Sequence, residues 1–148
     1  MDMTQTLSAQ TQKFAAPVGR VMIASMFVMS GLNKISGYEG TQGHMEAMGV
    51  PGALLPLVIL VEVGAGLAVI AGWQTRLAAF ALAGFSVLTA LIFHFDPADQ
   101  MQFIMFSKNI AIAGGFLFLV ANGPGAFALD NRWRAKATGE VTAEERKG

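Results

Sequence analysis

Five polar side chains stand where the surrounding sequence is apolar: Lys34 in GLNKI, Glu62 in LPLVILVEVGAGL, His94 in LIFHF, and Lys108 with Asn109 in FSKNIAIAGGF. In hydrocarbon each such group costs several kcal/mol unless it is paired or hydrated, so each needs a reason to be there. Glu62 alone at such a position would bind a proton, whereas beside a lysine it can stay ionised. The set also has hydrogen-bonding and proton-transfer chemistry. Protonated His94 or Lys108 can donate to a carbonyl, and a carboxyl such as Glu62 can pass protons. Structural roles compete with this reading: a buried Glu–Lys pair can tie two helices, Lys34 can snorkel to headgroups, and His94 can be an interfacial residue.

These groups must be carried by membrane helices. Of 148 residues, 53% are hydrophobic and 14% charged, against roughly 25% charged in an average soluble domain, and mean hydropathy is +0.50. Four apolar stretches, about 14–32, 53–73, 77–95 and 103–122, each approach the ~20 residues a helix needs to cross a bilayer. None alternates as a barrel strand would. The expected fold is all-α, an integral membrane four-helix bundle over residues 14–130, with a polar N-terminal tail at 1–13 and a polar C-terminal tail at 131–148.

Helical spacing places each polar group on a face with small residues that permit close packing: Gly31 with Lys34, Gly66 with Glu62, Ala90 with His94, and Ala111 and Gly115 with Lys108. Those faces are expected to point into the bundle. Glu62 lies roughly 12 Å along the second span from its start. The long, glycine-rich first connection contains HMEAMG, expected to form a short amphipathic helix against the bundle mouth. In GWQTR, Gly72 should end the second helix and make the second and third helices antiparallel neighbours. The runs of Met and Phe read as packing, and Arg20 as a boundary marker of the first span.

Orientation follows lysine and arginine counts in short loops. One end carries Lys13, Arg20, Arg76, Arg132, Arg134, Lys136, Arg146 and Lys147, the other only Lys34 and Lys108. Both termini are therefore expected in the cytoplasm, with Trp73 and Trp133 at that interface and Tyr38 at the opposite one. Arg76, Arg132 and Arg134 form the candidate contact for a protein partner on the inner face. Ten basic residues balance ten acidic ones, so nucleic acid is not an expected partner. The chain has no cysteine and only two histidines, His44 and His94. Thiolate chemistry is excluded, and no metal site or intrinsic cofactor is expected.

The combination GRVMIASMFVMSGLNKI, VEVGAGLAVIAGW, LIFHF and SKNIAIAGGFLFLVANGPGAFALD resembles the DoxX family of small four-helix bacterial membrane proteins, over about residues 18–130. Ala128 departs from the serine that relatives often place before the leucine and aspartate. The resemblance implies a multi-pass protein of the bacterial inner membrane. Some relatives are membrane subunits of a thiosulfate:quinone oxidoreductase, and others anchor an oxidoreductase complex in thiol and oxidative stress. It thus implies a quinone-associated subunit or anchor, with quinone as the ligand and a partner protein supplying the redox group. Whether the chain is itself catalytic stays open, as does homo-oligomerisation. The alternative is a non-enzymatic scaffold or assembly protein, followed by a small carrier, against which the absence of an inverted repeat argues.

Overall fold

In the computed structural model, the backbone is described for residues 2–145 and the side chains for residues 2–139; Arg146 and Lys147 lie outside the described residues. The described chain is all helical. In order it forms α1 (Met3–Ser36), α2 (Tyr38–Ala47), α3 (Gly52–Ala71), α4 (Thr75–Phe93), α5 (Gln100–Asn122) and α6 (Leu129–Glu145). Of these, α1, α3, α4 and α5 are long and apolar enough to cross a membrane. They run up and down, so Lys34, α2 and the α4–α5 link share one end, the mouth. The α3–α4 turn and the segment after α5 share the other, where the chain also begins and ends.

The polar stretch 1–13 is helical from Met3, making α1 a 34-residue helix about 50 Å long. Its first turns therefore project beyond the apolar bundle. Residues 131–145 likewise belong to a helix, α6.

Helix α1 packs on α3 through glycines on both sides. A Cβ on Gly31 would lie 3.2 Å from Glu62 Cβ, and one on Gly66 would lie 3.3 Å from the Ala24 carbonyl oxygen. Small residues thus bring the two backbones together where lipid supplies no hydrophobic drive. The fully buried α4 face, Ala79, Leu82, Ser86 and Ala90, repeats at intervals of three and four, the period of one helix face. Phe27 of α1 meets Phe116 of α5 and Phe85 of α4 edge-on, at 5.4 and 6.3 Å between centroids, a favoured arrangement for aromatic quadrupoles.

Helix α3 is irregular. It opens with a 3₁₀ turn at Gly52–Leu54, continues as α-helix over Leu55–Ile59, widens to a π-helix over Leu60–Ala65, and closes as α-helix over Gly66–Ala71. A π segment turns the residues that follow it relative to a regular helix and occurs frequently at functional sites. Glu62 lies within it. At the far end Gly72 adopts φ 71°, the left-handed helix stop expected from GWQTR.

Candidate functional site

At the mouth, Glu62 is 3% exposed and pairs with Lys34 of α1, whose Nζ lies 3.0 Å from Oε2 and 3.2 Å from Oε1. Ser30 sits one turn before Lys34. Its hydroxyl accepts from Nζ at 2.7 Å and donates to Glu62 Oε1 at 3.0 Å. The result is a closed triad in which the ammonium faces three oxygens and the buried carboxylate has a counter-charge.

The triad forms one wall of a cavity of about 470 Å³ between α1, α2, α3, α4 and α5, otherwise lined mainly by apolar side chains such as Phe27, Val58 and Phe85. Thr41, His44, Thr89, His94 and Asn109 are its other polar groups. Helix α2 closes the mouth as expected: Met45 is buried and His44 stacks on Phe93 at 5.5 Å. Gln42 fixes α2 to the start of α3 by donating to the Gly52 carbonyl at 3.2 Å. His94 Nδ1 lies 2.8 Å from Gln102 Oε1. Because that oxygen can only accept, Nδ1 is the donor of this pair. A second cleft, of about 630 Å³, lies against the same Lys34–Ser30 wall and adds Asn33.

Four of the five expected residues therefore meet at one cavity: Lys34, Glu62, His94 and Asn109. Lys108 does not. It is exposed and absent from the lining, and the lysine that pairs with Glu62 is Lys34. The packing face of α5 is set by Asn109, Ala113 and Phe116, of which the last two are buried, while Ala111 is exposed with Lys108. One position along a helix turns a side chain by about 100°, which separates Lys108 from Asn109. Lys108→Ala should accordingly change stability by less than about 0.5 kcal/mol, checked by reversible unfolding in bicelles. Ser30 and His44 were missed. Ser30 was legible as the residue four before Lys34 on one face, whereas His44 enters only through the placement of α2.

The opposite end is tied by Arg20, which proves to be far more than a boundary marker. It is 1% exposed, and Nη2 donates to the Ala126 and Phe127 carbonyls at 3.0 and 2.9 Å. Its guanidinium lies against Gly72, and Asp130 supplies an attractive charge. Asp130 in turn caps α4, accepting from the N–H of Gln74 at 2.7 Å, the N–H of Thr75 at 2.9 Å and the Thr75 hydroxyl at 2.7 Å. Partial burial acts to raise this carboxyl. The Thr75 hydroxyl, the two N–H groups and the Arg134 charge outweigh it and hold the group below the ordinary carboxylate range.

A depressed carboxyl contributes stability that is fully present above its unfolded value, about 3.9, and is lost as pH falls through the folded one. Asp130→Ala should cost about 1–2 kcal/mol at neutral pH, and unfolding titrations should show that deficit vanish in strong acid. Of the three expected contact arginines, Arg132 and Arg134 are exposed on α6. Arg76 is also exposed, but it donates to the Val120 carbonyl at 3.2 Å and so helps to finish α5. Among the described residues no group of three or more His, Cys, Asp or Glu side chains could hold a metal ion.

Comparison with known proteins agrees with this architecture. The DoxX family model matches residues 15–95. "Inner membrane protein YqjF" of Escherichia coli (strain K12) is 51% identical over 113 residues, covering 76% of this chain and 87% of that protein. "Inner membrane protein YphA" of the same organism is 34% identical over 122 residues, covering 78% and 87%. No solved structure gives a significant match.

Proposed function

The chain belongs to the DoxX family and is an inner-membrane protein, and from that premise we propose that it is a quinone-binding membrane subunit of an oxidoreductase complex. The observation that carries this reading is the Lys34–Glu62–Ser30 triad, with its buried carboxylate, opening on an apolar cavity of about 470 Å³. Ligand sites in helical bundles have this form, an apolar slot with few polar groups that fix orientation. A quinone ring suits the slot and its oxygens suit the polar wall. The second cleft, with Asn33 and Thr41 against Lys34 and Ser30, gives protons a polar approach to the pair. Since the chain has no cysteine, the partner brings the electrons, as a flavin or iron–sulfur group would. In this reading the end bearing Arg132 and Arg134 faces the cytoplasm and receives that partner.

A photoreactive short-chain quinone added to the protein in nanodiscs tests the assignment. Labelling should fall on the cavity walls, be competed by unlabelled quinone, and be lost in Thr89→Phe, which fills the cavity from α4. Labelling spread over lipid-facing residues and unchanged in Thr89→Phe would refute it.

A further inference from the structure

The cavity is not walled equally on every side. Its mouth is covered by α2, where Met45 is buried, His44 stacks on Phe93 and Gln42 donates to the Gly52 carbonyl. Its flank is different. Met26, Ser30 and Lys34 recur every four residues on α1 and so form one row along the helix, and all three line both the cavity and the second cleft. That cleft continues over the adjacent row, Ser25, Met29 and Asn33. The two spaces therefore meet across the surface of α1. Met26 is 46% exposed and lies within the first span, roughly 12 Å along the helix from Lys34. Exposure at that depth is exposure to acyl chains rather than to water. Leu88 of α4, another lining residue, is 58% exposed within its own span. Helix α5 approaches α1 at Phe116 on Phe27 and at Gly115 beside Ile23, level with Met26 or farther from the mouth.

We propose that the cavity exchanges its ligand sideways with the bilayer, past Met26, and not through the mouth. The lining of the second cleft is graded to suit this route: Asn33 and Thr41 are polar near the mouth, while Met26 and Met29 are apolar deeper in. A quinone ring can thus reach the Lys34–Glu62 pair while an apolar tail stays among the acyl chains. A cavity of about 470 Å³ is on the scale of a ring-sized ligand, so a long tail has to remain outside it. Met26, unbranched and with three rotatable bonds, can swing aside without moving the backbone. The inference rests on the reading of the cavity as a quinone site and adds its entrance and its gate.

Because the chain has no cysteine, one engineered disulfide can hold the mouth shut. A Cβ on Gly52 would lie 3.3 Å from Gln42 Cβ, close to the roughly 3.5–4.5 Å that a disulfide requires, so oxidised Gln42→Cys/Gly52→Cys locks α2 onto α3. Each protein in nanodiscs is loaded with the photoreactive short-chain quinone, chased with excess unlabelled quinone and irradiated at successive times to give the release rate. The locked protein should release at a rate within about twofold of wild type. Met26→Trp should slow release at least about tenfold, and Met26→Ala should quicken it. Slower release from the locked protein, or release that is unaltered or changed in the opposite sense in the Met26 variants, would overturn the side entrance while leaving the quinone site in place. Absence of cavity labelling in the wild type would overturn both.

Discussion

Lys34→Met is expected to destabilise the protein by about 3–5 kcal/mol, the cost of leaving one member of a buried ion pair without its counter-charge. Glu62 is 3% exposed and has no other cation within ion-pair distance among the described residues; Ser30 can offer it only a single neutral hydrogen bond. The double variant Lys34→Met/Glu62→Leu should recover most of the loss, to within about 1 kcal/mol of wild type, because an apolar pair of similar volume escapes the desolvation penalty. Steric trapping in bicelles measures all three proteins on one scale. A single variant as stable as wild type would show that the pair is not closed in the membrane. A double variant no better than Lys34→Met would show that the loss comes from the missing lysine side chain rather than from charge.

Arg20→Met should cost a comparable amount, about 3–5 kcal/mol, at the other end of the bundle. One guanidinium nitrogen serves two carbonyls, those of Ala126 and Phe127, and both lose their charged donor together. Phe127 is held at φ 53°, a left-handed conformation that a bulky residue adopts only under constraint. Arg20 supplies that constraint, so its loss should also loosen the exit segment between α5 and α6. Arg20→Lys should recover only part of the stability, because a lysine lacks the flat fork that lies against Gly72. Hydrogen exchange provides the second readout: protection at the Asp130 N–H, which donates to the Gly72 carbonyl at 2.9 Å, should drop in Arg20→Met and stay high in Lys34→Met.

Helix number and type, the Gly72 stop and the cap over the mouth were legible because they follow from hydropathy length, glycine position and loop length. The depth of Glu62 was legible too, but not its partner. Lys34 and Lys108 both lay within reach in sequence, and the choice between them depends on which face of α5 packs inward. Small residues there were an incomplete guide: Gly115 does face Ile23 of α1, but Ala111 is exposed, and the buried positions are Ala113 and Phe116. The π segment around Glu62 leaves no hydropathy signature, since widening a helix by one residue in a uniformly apolar run alters no periodicity that sequence displays. Arg20 and Asp130 escaped notice for a related reason. Their roles depend on contacts between residues 106 or 107 apart for Arg20 and 55 or 56 apart for Asp130, which no local pattern encodes.

Whether the Lys34–Glu62–Ser30 triad faces a ligand or only joins two helices is decided most directly by a structure of the protein extracted with its native lipid. Ring-shaped density is expected in the cavity, with an oxygen within hydrogen-bond distance of the Lys34–Glu62 pair. Acyl-chain density running through the same space, with no polar atom near that pair, would contradict a ligand-binding role.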